Sequence, residues 1–210
     1  MENRDNPFES MREMSQMNPL ASKIIFTVGI ILWLLIRIPY QRDQKQNTIV
    51  DDRKTSQEKV LRLMVPMGIL FVPLIYVLSP LLNFANYHLP IWANGLGIAT
   101  FGLSLGLFWR SHHDLGKNWS STLQIREGHI LTTNGVYQNI RHPMYASVLL
   151  LCIAQALLLT NWIAGLSGFI GFSIAYAIRV DQEEQMLLES FGDEYEAYRQ
   201  RTKRLIPYLF

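Results

Sequence analysis

The sequence predicts an all-α integral membrane protein with five transmembrane helices, the fourth and fifth forming a C-terminal hairpin, and a cytosolic loop and tail able to hold a cofactor. Three observations carry this. Aliphatic, aromatic and sulfur side chains make up 49% of the 210 residues against 17% charged, and the charges cluster between long apolar runs. An uncharged stretch runs for 33 residues from Ala146 to Ile178; this exceeds one crossing, because roughly 20 helical residues at about 1.5 Å each already span the hydrocarbon core. Finally, the basic residues fall almost entirely on alternate connections between the apolar runs.

The elements follow in order. Residues 1–19 form a polar tail with neither a basic run leading into a short apolar core nor a small-residue cleavage site, so a retained anchor is expected. The first span, 24–40, carries one charge, Arg37, close enough to its end to snorkel. The second and third, 63–82 and 91–109, carry none. Pro66, Pro73 and Pro80 recur through the second, which a bilayer tolerates where neighbours satisfy the freed carbonyls. Gly95, Gly97, Gly102 and Gly106 give the third span small faces, expected to pack within the chain. Thr160-Asn161 is the polar pair that turns the hairpin between spans 143–160 and 162–178, with Trp162 in the aromatic belt. Both arms are near the short limit for a span, so tilt, bilayer thinning or shielding by other helices is expected.

Fifteen of the 19 Lys and Arg residues lie after the first, third or fifth span, and Arg37 at the end of the first brings that side to sixteen. The positive-inside rule then places the C terminus and those connections in the cytosol and the N terminus outside. Topology and anionic headgroups account for the basic residues, so no nucleic-acid partner is implied. Length allows a single domain, 1–210. Cys152 is the sole cysteine and excludes an intramolecular disulfide. No strand leads through a Gly-rich turn into a helix, which excludes a nucleotide-binding α/β domain. The loop Gln41 to Lys59 reads as a solvated charged segment.

Polar chemistry collects in 111–142 and 179–210. The first region holds His112, His113, Asp114, Lys117, Asn118, Gln124, His129, Asn134 and Tyr137. Adjacent histidines point about 100° apart on a helix and no further His or Cys completes a shell, so no metal is expected. Pro143 sits where a helix should begin, since proline at the first helical position sacrifices no hydrogen bond. The adjoining amides suit an anion, with Arg141 and His142 beside them; a plain helix cap with interfacial Arg and His is the competing reading. Arg179 and Glu183 are four apart and form either an ordinary surface pair or two halves of a site, the carboxylate for a cationic ligand and the guanidinium for an anionic one. Leu187, Phe191, Tyr195 and Tyr198 continue one apolar face, so the tail is expected to dock and bring Glu183 near the His142 turn.

Five segments in order resemble the isoprenylcysteine carboxyl methyltransferase family of integral membrane enzymes: 114–120 (DLGKNWS), Gly135-Val136-Tyr137 through Arg141-His142-Pro143-Met144-Tyr145, Arg179 with Glu183-Glu184, 191–198 (FGDEYEAY), and Arg204-Leu205-Ile206-Pro207. The likeness spans Ser111 to Pro207 and is greatest to compact prokaryotic members, which implies a bacterial-type inner membrane. It implies S-adenosylmethionine as methyl donor and a carboxylate on a prenylcysteine-like or other lipophilic group as acceptor. Carried over by motif, Gln124, His129, Ile130, Leu131, Thr132, Tyr137, His142, Pro143, Met144, Tyr145 and Glu183 match cofactor-binding positions. Arg179 matches the position that holds the accepting carboxylate, and Glu184 is a catalytic candidate by adjacency. Partners are then lipids and a lipidated or lipophilic substrate entering from the bilayer through a lateral opening. Two other enzyme readings stay open: a phospholipid N-methyltransferase with Glu184 as base, and an NADPH-dependent sterol-type reductase, which the Arg-His-Pro-x-Tyr run also resembles. A non-enzymatic bundle, with these residues as caps and anchors, is the fourth.

Overall fold

The computed structural model describes residues 17–44, 49–52, 56–116, 119, 124–126 and 130–208. Helices dominate: α1 (Pro19–Gln44), α2 (Ser56–Pro66), a π-helical turn (Met67–Phe71), α3 (Val72–Leu78), α4 (Ile91–Leu115), α5 (Pro143–Leu159), α6 (Trp162–Phe191) and α7 (Asp193–Arg201). The only sheet among the described residues is a two-stranded antiparallel ribbon, β1 (Ile49–Asp52) with β2 (Gln124–Arg126). The helices α1, α4 and α6 are long and apolar enough to cross a membrane, while Leu63–Leu78 and Pro143–Leu159 are shorter apolar helices. Ile24, Val28, Ile31 and Leu35 of α1 are exposed along one face, as are Leu96 and Leu103 of α4 and Phe169, Ile170 and Ile174 of α6. Apolar surface of this extent marks a lipid-facing belt, and the protein is an all-α integral membrane protein.

Every expected apolar segment is helical, but the bounds differ. α1, α4 and α6 overrun 24–40, 91–109 and 162–178, because a helix continues past the hydrocarbon boundary wherever its hydrogen bonds persist. The second segment stops at Leu78 instead of residue 82. Asn18 caps α1 by accepting from the Leu20 amide at 2.8 Å, with Pro19 opening the helix.

α5 is the centre. Leu151, Cys152, Ala154 and Leu158 have no exposed surface, and they pack with Phe26, Ile30 and Trp33 of α1, Phe101 and Phe108 of α4, and Ala164 and Phe172 of α6. Its neighbours thus cover the short arm, one of the three ways a short span is accommodated.

The prolines leave a visible mark. In the π turn the Val72 amide reaches back to Met67 O, and Pro73 has no N–H to offer the next carbonyl, Gly68 O. That carbonyl accepts instead from Gln155 Nε2 at 2.9 Å and Ser167 Oγ at 2.7 Å. A Cβ at Gly68 would collide with the Ser167 carbonyl, so the close approach requires glycine.

At the far end Asn161 organises the connections. Its Oδ1 accepts from the Ile163 and Ala164 amides at 3.1 and 2.9 Å, and its Nδ2 donates to Leu82 O at 2.7 Å and Asn86 Oδ1 at 2.8 Å. The hairpin turns at Thr160-Asn161 as the sequence suggests. Two expectations fail. Of the third-span glycines only Gly97 packs inside the chain, against Leu157 and Leu158; Gly95, Gly102 and Gly106 are exposed, and a Cβ added at any of them would meet open space. The loop after α1 is also not merely solvated, since its residues 49–52 pair with 124–126.

Candidate functional site

Polar groups converge where α4, α5 and α6 end nearest the ribbon. α5 begins at Pro143. Just before it, residues 140–142 run parallel to 203–204: the Arg141 amide donates to Lys203 O at 2.7 Å and the His142 amide to Arg204 O at 2.9 Å. The tail therefore docks on the His142 turn through backbone bonds, α7 having bent back at Gly192, whose φ of 52° suits glycine. Tyr195 and Tyr198 are buried beneath it, and Tyr198 Oη donates to Tyr137 O at 2.7 Å. Burial pushes the Tyr137 and Tyr198 phenols well up, so both remain protonated donors. The Val136 amide donates to Asp114 Oδ2 at 2.9 Å, which fixes the turn holding Tyr137 to the end of α4.

The two adjacent glutamates separate. Glu184 is buried: its Oε1 accepts from Arg141 Nε at 3.0 Å, His142 Nε2 at 3.1 Å and Arg204 Nε at 3.2 Å, and its Oε2 from Arg204 Nη2 at 2.8 Å. Arg141 also reaches the Arg199 carbonyl at 3.1 Å and that of Thr202. Hydrogen bonds to Glu184 hold the Arg204 guanidinium above its ordinary range. Glu183 instead lines a cavity, accepts from Tyr145 Oη at 2.7 Å on Oε2, and has Oε1 3.9 Å from His142 Nδ1.

The cavity measures about 640 Å³. Its polar end is lined by Leu131, Thr132, Tyr137, Arg141, His142, Met144, Tyr145, Arg179 and Glu183. The rest is mostly apolar and aromatic, formed by Trp33, Leu34 and Ile38 of α1, Leu61, Val65, Pro66, Ile69 and Leu70 beyond it, and Phe172 and Tyr176 of α6, with Arg37 and Gln41 the polar groups of the α1 wall. Tyr145 and Tyr176 meet edge-on with centroids 5.4 Å apart, at the junction of the two parts. The volume suits a ligand of cofactor size with room for an apolar chain.

Of the residues singled out by sequence, Leu131, Thr132, Tyr137, His142, Met144, Tyr145, Arg179 and Glu183 share this cavity. Pro143 is buried at the helix start and Ile130 is largely exposed outside the lining. Gln124 sits in β2, opposite Asp52; His129 lies outside the described residues. Glu184 is outside the cavity lining, its oxygens taken up by Arg141, His142 and Arg204, so the base role considered for it finds no accessible carboxylate. Sequence reasoning passed over the α1 wall, although Trp33, Arg37 and Gln41 recur every four residues on one helical face. Nor does the sequence pattern reveal Arg204 as the partner of Glu184. Trp119, which donates to Met144 Sδ at 3.3 Å, was likewise only part of a motif.

Fold and site define an intramembrane helical protein whose ligand chamber is polar at one end and apolar at the other. Residues 97–189 match the profile of the isoprenylcysteine carboxyl methyltransferase family. The likeness to that family is carried by these residues, a little under half of the chain. It is 32% identical over 96 residues to protein-S-isoprenylcysteine O-methyltransferase B of Arabidopsis thaliana, covering 45% of this chain and 49% of that protein. With the Schizosaccharomyces pombe protein-S-isoprenylcysteine O-methyltransferase the identity is 30% over 111 residues, covering 51% and 47%. The solved eukaryotic intramembrane Ras methyltransferase shares the fold, with a TM-score of 0.50 at 22% identity over 76% of this chain and 55% of that one. The chain spans about half the length of the curated relatives it matches.

Proposed function

We propose that this protein transfers a methyl group from S-adenosylmethionine to the carboxylate of a prenylcysteine-like or other lipophilic acceptor at the membrane surface. The observation that carries the reading is one cavity in which Glu183 and Arg179 meet an apolar chamber. The residues fit a zwitterionic sulfonium nucleoside: Glu183 would complement its positive charge, the α5 start at Pro143 with His142 its carboxylate or ribose, and Tyr137 and Tyr145 its ring. When bound, that donor supplies the electrophilic methyl group.

The protein's own work is to position. A carboxylate acceptor is already ionised near neutrality and needs no base, so holding it in line is the main requirement. Arg179 would orient it through one oxygen and leave the other to react. Glu183 is itself fixed by Tyr145, and His142 by Glu184, so the polar wall is preorganised. The occupied Glu184 favours a carboxylate over an amine acceptor, because an amine must lose a proton. Five crossings with the cavity facing the cytosol fit the charge bias. α1 and α3 touch where Lys23 Nζ donates to Tyr76 O at 2.9 Å, while towards the His142 turn the cavity separates α1 from the Leu61 to Leu70 wall. This supports lateral entry of the acceptor between them.

Calorimetric titration of the detergent-purified protein with S-adenosylhomocysteine, with NADPH as control, tests the reading. Micromolar binding of the former alone, lost in folded Glu183→Ala, is expected. Binding of NADPH alone would shift the reading to a reductase, and binding of neither would leave the non-enzymatic bundle. Base-labile incorporation of labelled methyl separates ester from headgroup methylation.

A further inference from the structure

Arg37 belongs to α1, outside the family-matched residues, and projects into the cavity beside Leu34 and Ile38. Its guanidinium carbon lies 5.7 Å from the Trp33 ring and 5.4 Å from the Trp119 ring, between one indole on α1 and one on the segment after α4. Both indoles are buried, and Trp33 stacks in turn on Phe108 at 4.5 Å. A snorkelling arginine needs no such seat. Cation–π contacts with two buried indoles favour one location for the charge and partly desolvate it, and a guanidinium so placed suits recognition of an oxyanion through its planar N–H fork. Gln41, one turn further on the same face, adds an amide to the same wall.

The position also distinguishes the two ligands. The donor-side candidates in the cavity lie on α5, α6 and residues 131–142 before α5, whereas Arg37 shares its wall with the apolar lining of α1. We propose that Arg37 is a specificity-determining residue that makes the acceptor chamber selective for amphiphiles with an anionic head. This rests on the methyltransferase reading and extends it to a residue the family's matched region lacks. The cavity is then entered past one fixed cation, and the acceptor carboxylate meets Arg37 before or together with Arg179.

The test compares full-length wild type, Arg37→Gln and Arg37→Lys in detergent. The probes are an N-acetylated S-prenylcysteine and its neutral carboxamide, with S-adenosylhomocysteine affinity measured in parallel. For Arg37→Gln the expected result is a KM for the carboxylate raised at least tenfold, with kcat and donor affinity within twofold of wild type. The wild-type preference for carboxylate over carboxamide binding should collapse, and Arg37→Lys should restore part of it. An unchanged KM and an unchanged preference overturn the proposal. So does a parallel loss of donor affinity, which would make Arg37 a donor or structural group. If Arg37→Gln does not fold, Arg37→Lys decides: an unchanged carboxylate KM overturns the proposal, and a rise of threefold or more at constant donor affinity supports it. Failure of the wild type to bind donor at all would instead sink the methyltransferase reading.

Discussion

The outer and inner ends of the bundle solve the same problem with opposite chemistry. At the outer end a neutral amide, Asn161, joins α6 to the connection before α4 through four hydrogen bonds. At the inner end a charged group, Glu184, joins α6 to the α5 start and the tail through Arg141, His142 and Arg204. Asn161 closes its end. Glu184 instead holds open a frame, on the other side of which Glu183 faces the cavity. An ion cluster tolerates a neighbouring void lined with charge, since its own groups are mutually satisfied; a lone amide needs close packing to reach all its partners.

The largest effect should come from splitting the two glutamates. Glu184→Ala leaves buried cationic groups without their carboxylate and should cost roughly 3–5 kcal/mol, read as a lower unfolding temperature in detergent. Glu183→Gln should leave stability within about 0.5 kcal/mol while weakening donor binding. Equal stability loss in both would erase the distinction between frame and wall. Next, Asn161→Ala should cost roughly 1–3 kcal/mol, since the Leu82 carbonyl and the first amides of α6 lose their partner; donor affinity should stay unchanged, and a change would couple the two ends. The smallest expected effect is that of Gln155→Leu. Gly68 O would keep Ser167 Oγ, so a loss of about 1 kcal/mol is expected, rising more than additively with Ser167→Ala in a double-mutant cycle of unfolding temperatures.

How much of this was legible depended on periodicity. The hairpin, its turn and the α5 start followed from local signals, an apolar run, a polar pair and a proline, each acting within a few residues. The convergence of His142, Arg179 and Glu183 followed from motif resemblance and helical spacing. Which of two adjacent glutamates faces the cavity did not, because neighbours on a helix point about 100° apart and only the position of Arg141 and Arg204 decides between them. Arg37 was invisible as a site residue, being far from the motifs in sequence and brought to Trp119 only by the packing of α1 on α4. The outward turn of Gly95, Gly102 and Gly106 was equally hidden, since small residues read alike whether they face a helix or lipid.

The backbone bonds from Lys203 and Arg204 to residues 141–142 also set an order of events in the cell. α5 and α6 are made, and able to enter the bilayer as a pair, before the residues that complete the His142 turn have left the ribosome. The chamber therefore matures after insertion, and a chain stalled in the tail is a membrane protein with every apolar helix in place and an unfinished cavity wall.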